Sequence, residues 1–181
     1  MIIKELKLKG VYEITLAANI DHRGFFMRTY DRETFRSYGL DCDWLQENHS
    51  HTKLKGTIRG LHFQVSPFSE TKLVRCIRGK IFDVVVDIRR DSDSFGEWIG
   101  IELSEENKKM LFIPRGFAHG FCTLTDLSEV MYKVDNIYSP GHERGLLWND
   151  PDIAIEWPVT NPILSAKDQK NMTFKSLIEH G

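Results

Sequence analysis

The sequence predicts an all-β domain, a sandwich or barrel with a few short helices, on three observations. Segments of period-2 alternation rich in β-branched and aromatic residues recur along the chain. Turn-forming clusters interrupt them at spacings of about 8–12 residues. Helix-start signals stand before only two short stretches. At 181 residues the chain is long enough for one sizeable core, and its composition calls for no second domain. Residues 1–181 therefore read as a single domain.

The N-terminal MIIKELKLKG alternates apolar and charged residues and reads as a first strand, neither a signal peptide nor a membrane span. Residues 31–38 are expected to form a short helix behind an Asp31 cap. Residues 56–64, GTIRGLHFQ, read as a strand. Strict alternation sets Arg59, Leu61 and Phe63 on one face and Ile58, Gly60, His62 and Gln64 on the other. Gly60, however, permits a bulge that turns Arg59 and His62 toward one site, and the chemistry is expected there. Residues 72–78, 81–88, 98–103, 110–113 and 130–134 are further strands. Gly79-Lys80, Asp91-Ser92-Asp93-Ser94, residues 104–107 and Pro114-Arg115-Gly116 separate them. Residues 165–170 read as a second helix, with Ser165 as N-cap and Asp168 at the third helical position. There is no internal repeat, low-complexity tract or linker.

A net charge of −2 with acidic and basic residues interspersed gives no bulk field for nucleic acid or an anionic membrane, so any bound anion must be met locally. Cys42, Cys76 and Cys122 are an odd and widely spaced set. They suit neither a disulfide framework nor a zinc cluster, and fit a reducing cytoplasm. The segment IPRGFAHGF holds a P-x-G-x-x-H spacing, Pro114, Gly116 and His119, after a strand and before another apolar segment. That pattern points a histidine inward in cupin-type jelly-roll barrels, whose mouth or interior hosts a small ligand. A metal version needs an H-x-H pair followed by a carboxylate. His49-Ser50-His51 offers the pair, but residues 52–60 supply two glycines and three basic residues and no carboxylate, so a non-metal pocket is expected.

Seven motifs occur in the order seen in one family. They are DHRGFF at 21–26, QENHS at 46–50, IRGLHFQ at 58–64, KLVRCIRG at 72–79, IPRGFAHGF at 113–121, the 132–138 segment and ILSAKD at 163–168. Over nearly its whole length the chain resembles the dTDP-4-dehydrorhamnose 3,5-epimerase family of nucleotide-sugar epimerases. The resemblance implies a homodimeric cupin-type jelly roll that uses no cofactor and works in deoxysugar and cell-surface polysaccharide biosynthesis. It also implies a substrate in which a nucleoside diphosphate is linked to a 4-keto-6-deoxyhexose.

Inverting a carbon beside a ketone requires a base, a partner for the enolate oxygen and an acid on the opposite face. His62 suits the base, since imidazole titrates near neutrality. Its other nitrogen needs an orienting group, a role the resemblance assigns to Asp168; the bland alternative is an idle carboxylate in a surface helix. Tyr132, otherwise a half-buried sheet aromatic, is the implied acid, because a phenol stays protonated at neutral pH. Lys72, otherwise a solvated strand end, is placed by the resemblance at the C4 oxygen, where an ammonium stabilises developing charge. Arg23, Arg59 and His119 are the implied diphosphate contacts. Gln46, Asn48, Glu143 and Lys167 match substrate-contacting positions, and Phe26 and Tyr138 are aromatics suited to flank the base or sugar.

Three residues depart from the rhamnose-pathway pattern: Arg28, where a glutamate is common, and Phe68 and Glu70, where histidine and glutamine are frequent. Position 28 lies near the nucleotide in the family. The departures therefore suggest a different nucleobase, or inversion at one carbon instead of two. A nucleotide-sugar ketoisomerase on the same barrel, and a metal cupin or non-catalytic sugar-binding module, are the alternative readings.

Overall fold

Alternation along the strands sorts the apolar side chains into three clusters, and these fix the architecture of the computed structural model, which describes residues 1–180. One antiparallel sheet runs in the order β1 (Ile2–Glu5), β2 (Tyr12–Thr15), β10 (Lys109–Ile113), β7 (Lys72–Arg78), β12 (Ser128–Val134) and β5 (Gln46–Thr52). The second runs β13 (Glu143–Gly145), β6 (Ile58–Gln64), β11 (Phe117–Thr123), β8 (Lys80–Asp87) and β9 (Trp98–Ser104). Between them lies a buried core that includes Val74, Cys76, Leu111 and Val130 from the first sheet and Ile81, Val85, Leu103 and Phe121 from the second. The architecture is the expected cupin-type jelly roll, two facing sheets with few helices.

The outer faces are covered separately. Helix α1 (Arg32–Ser37) buries Phe35 over Leu73, Met110 and Phe112 of the six-stranded sheet. It begins where expected, with Asp31 accepting from the Thr34 backbone N–H at 3.0 Å and its hydroxyl at 2.8 Å. On the other side, α2 (Phe174–His180) packs Phe174 and Leu177 with Leu61, Phe63, Val84 and Val86. No helix is expected there from sequence, since two turns give too short a periodic run. Its start is nonetheless fixed, by Thr173 Oγ1 accepting from the Ser176 N–H and by Asp150 accepting from the Phe174 N–H.

The helix expected over 165–170 is a single 3-10 turn, Asp168–Lys170. The Ser165 hydroxyl does accept from the Asp168 N–H, at 3.0 Å. The turn ends because Met172 is taken into a bridge beside Leu146, its N–H donating to the Gly145 carbonyl. Tertiary pairing overrides local propensity here. A separate hairpin, β3 (Ala18–Asp21) and β4 (Gly24–Met27), stands off both sheets, with Ile20 81% and Phe26 69% exposed.

The Asp91-to-Ser94 turn is organised by Asp87, whose fully buried carboxylate accepts from Arg89, Ser92 and Ser94. Burial opposes its ionisation, but these donors prevail and hold its pKa at about 2. The three cysteines are free thiols, and burial pushes Cys76 up to about 12 and Cys42 and Cys122 up to about 11.

Candidate active site

The five-stranded sheet carries a bulge at the glycine where one was expected. Paired with β11, His62 lies opposite His119 while Arg59 lies opposite Phe121, so β6 spends one extra residue over the same length. Leu61 and Phe63 are thereby sent to the outer cluster, and Arg59 and His62 line one cavity. Strict alternation, which groups Arg59 with Leu61 and Phe63, does not survive past Gly60. The position requires glycine: its φ is +116°, and a Cβ would stand 2.6 Å from the Gly120 Cα and 2.7 Å from the His119 carbonyl oxygen.

The C-terminal segment is anchored beside the start of β6 by bonds from Ile163 N–H to the Gly56 carbonyl and from Ile58 N–H to the Ile163 carbonyl. Five residues on, Asp168 reaches His62, and Nε2–H donates to Oδ1 at 2.6 Å. Asp168 is buried, whereas the His62 side chain keeps 31% of its surface open to the cavity. Burial alone would raise the Asp168 pKa, but bonds from His62, Ser165 and the Gly60 N–H outweigh it and hold the carboxyl below the usual range. The dyad therefore contains an anion at neutral pH, and its geometry leaves the imidazole Nδ1 unused by Asp168.

Across the barrel the six-stranded sheet presents Lys72 from β7 and Tyr132 from β12. Two chambers, of about 530 and 490 Å³, share His62, Lys72 and Tyr132 along their boundary. Each volume is in the range that holds a small ligand. Lys72 Nζ lies 3.1 Å from Glu70 Oε1, both side chains being about nine-tenths buried. Gln64 donates to Glu70 Oε2 at 2.8 Å and accepts from the Ser139 N–H at 2.6 Å. Burial first, and then the negative charges of Glu70 and Glu143, push the Tyr132 phenol above its ordinary pKa.

The inner chamber also holds Arg59, His119 and Lys167. Arg59 is steadied by Thr52 Oγ1 at 3.0 Å and by the His51 carbonyl at 3.2 Å. His119 donates through Nε2 to Asp83, whose carboxylate oxygens are 2.9 and 3.0 Å away. This buried pair was not anticipated from sequence, although a carboxylate inside the apolar run IFDVVVD signals a partnered acid. Gln46, Asn48, Tyr138 and Glu143 line the outer chamber. There Glu143 accepts from the Tyr138 hydroxyl and from Lys167, each at 2.6 Å, and Gln46 accepts from the Tyr138 N–H at 3.0 Å. Burial opposes the ionisation of Glu143, while Lys167 and Tyr138 lower its pKa overall.

Arg23 and Phe26 line neither chamber. Both lie on the protruding hairpin, where Arg23 pairs with Asp21 at 2.7 Å. Of the three departing residues, Arg28 faces the cap of α1 through Asp31 at 3.4 Å, Phe68 packs on the His142 ring at 4.4 Å, and Glu70 forms the pair with Lys72. The H-x-H pair lies outside the cavity, since alternation along β5 sends Asn48 and Ser50 inward and His49 and His51 outward, to Glu129. Among the described residues no three His, Cys, Asp or Glu side chains converge as a metal site.

A family model described as dTDP-4-dehydrorhamnose 3,5-epimerase matches residues 5–176. The chain is 52% identical over 155 residues to a dTDP-4-dehydrorhamnose 3,5-epimerase of Shigella flexneri, covering 85% of each. It superposes with a TM-score of 0.93 and 44% identity on the Bacillus anthracis dTDP-4-dehydrorhamnose 3,5-epimerase with TDP and PPi bound, covering 94% of this chain and 98% of that one. The Legionella pneumophila dTDP-6-deoxy-D-glucose-3,5-epimerase in complex with dTDP-4-keto-L-rhamnose is similar at a TM-score of 0.92 and 36% identity, covering 99% and 94%.

Proposed function

Because the chain belongs to the dTDP-4-dehydrorhamnose 3,5-epimerase family and is an isomerase of nucleotide sugars, we propose that its His62–Asp168 dyad is the base that inverts carbons flanking the ketone of a nucleoside-diphosphate 4-keto-6-deoxyhexose. The observation that carries this reading is the 2.6 Å bond between His62 and a buried carboxylate, in a cavity whose opposite wall bears Lys72 and Tyr132. With Nε2–H committed to Asp168, Nδ1 takes the proton from C3 or C5. The electron pair moves through the enolate to the C4 oxygen, beside the Lys72 ammonium. Tyr132 then returns a proton to the face opposite His62, and solvent restores both groups. Each step is a proton transfer or a charge stabilisation that these side chains can supply, and no cofactor is invoked.

Arg59 and His119 would grip the diphosphate, with Lys167 at the rim, while Gln46, Asn48, Tyr138 and Glu143 face the nucleoside side. Arg23 and Phe26 would act in the site of a second copy. The hairpin that carries them exposes Ile20, Phe25 and Phe26 and stands apart from its own chambers, which supports a homodimer. Free thiols support a reducing cytoplasm, and no described helix is long and apolar enough to cross a membrane. The product would serve deoxysugar and cell-surface polysaccharide biosynthesis.

The nucleobase and the number of inverted carbons are read by one experiment, a panel of nucleotide 4-keto-6-deoxyhexoses offered in deuterated water. At least one sugar is expected to gain deuterium at C3, C5 or both and nowhere else. Absence of label from every member would contradict the epimerase reading.

A further inference from the structure

We propose that Ser50 is a sugar-binding residue whose hydroxyl bonds one of the two free ring hydroxyls of the hexose, an inference that rests on the epimerase reading above. Among the described residues three buried side-chain polar atoms lack a hydrogen-bond partner: Trp44 Nε1, Arg75 Nε and Ser50 Oγ. Of these residues Ser50 is the one that lines the inner chamber with His62, Lys72 and Tyr132. Trp44 belongs to the cluster under α1, and Arg75 lines a different, smaller hollow.

A buried hydroxyl without a partner is uncommon and unfavourable, and in a ligand cavity it marks where the ligand completes the bonding. Ser50 lies between Asn48 and Thr52 on the inward face of β5, at two-residue steps of about 7 Å. Thr52 Oγ1 is engaged by Arg59, Asn48 stands opposite Tyr132 in the register, and the residue opposite Ser50 is the apolar Val130. No protein group bonds the hydroxyl, and it belongs to a residue of the chamber wall whose direction is set by a single side-chain torsion.

The ligand chemistry follows from what remains unassigned. The arginine fork suits phosphate and the Lys72 ammonium suits the ketone oxygen. A serine hydroxyl, at once donor and acceptor, matches another hydroxyl. In a 4-keto-6-deoxyhexose whose C1 bears the nucleotide, the free hydroxyls are those on C2 and C3.

The test compares the wild-type protein with Ser50→Ala on the parent sugar and on its 2-deoxy and 3-deoxy analogues, reading kcat/KM from deuterium gained beside the ketone, with Tm measured without ligand. Ser50→Ala should lower kcat/KM on the parent about 10- to 100-fold, and by less than twofold on the analogue lacking the bonded hydroxyl. Its Tm should match or exceed the wild-type value, because an unmet buried hydroxyl has been removed. An unchanged parent rate, an undiminished loss on both analogues, or a Tm lowered by several degrees would overturn the proposal. Failure of the wild-type protein to label any sugar would instead overturn the epimerase reading, an outcome separable from the others because it appears without the substitution.

Discussion

His62→Ala is expected to abolish exchange of the hydrogens beside the ketone with solvent, lowering its rate by about 10³–10⁴-fold, near the upper end of what a positioned base contributes. The other candidates differ from it: Lys72 is held by Glu70, the Tyr132 phenol is kept neutral by burial, and His119, although it too donates to a buried carboxylate, leaves only 9% of its side chain exposed against 31% for His62. Nucleotide affinity should change little, since the proposed diphosphate contact Arg59 is steadied by Thr52 and the His51 carbonyl and not by the dyad. Deuterium incorporation followed by NMR separates the two quantities. Exchange within tenfold of wild type would show that proton removal occurs elsewhere.

Tyr132→Phe is expected to act differently. The variant retains the base and the Lys72 ammonium, so protons still leave and return on the His62 face. Exchange should persist at a reduced rate while inversion falls by at least about 10²-fold. Equal loss of both signals would count against a two-face mechanism. The wild-type pH profile carries a related expectation. Burial, aided by Glu70 and Glu143, raises the Tyr132 pKa, so inversion should retain its acid above the ordinary phenol value of about 10. The linkage has the same sign: a group with a raised folded-state pKa contributes stability below its unfolded value and loses that contribution as pH rises through the folded value.

Strands β7, β8 and β10 were legible as runs rich in β-branched and apolar residues because both of their faces are buried, one in the central core and the other under the outer clusters. β5 was not read as a strand. Its sequence QENHSHT is polar on both faces, because Gln46, Asn48 and Ser50 face the two chambers and Glu47, His49 and His51 face outward. The site that uses this strand is what removes its apolar signature. Gly60 was legible as a bulge through the conformational freedom of glycine, and the bulge is what reconciles Arg59 with His62.

Other features depend on distance in sequence. Asp168 is separated from His62 by 106 residues, and nothing local to ILSAKD distinguishes a partnered carboxylate from a solvated one. The resemblance supplied that pairing. The Asp83–His119 bond spans 36 residues and went unread, although a lone carboxylate in an apolar strand is a physical signal in its own right. The hairpin bearing Arg23 and Phe26 was legible as a motif but not as an exposed projection, because its apolar residues resemble core residues when read along one chain.

Asp168→Asn tests the dyad most directly, since asparagine preserves size while removing the charge and permitting the wrong imidazole orientation. If the carboxylate orients and charges the base, kcat should fall by about 10²–10⁴-fold with deuterium exchange falling in parallel and KM staying within about threefold. A variant that exchanges and inverts within threefold of the wild-type rate would contradict the account.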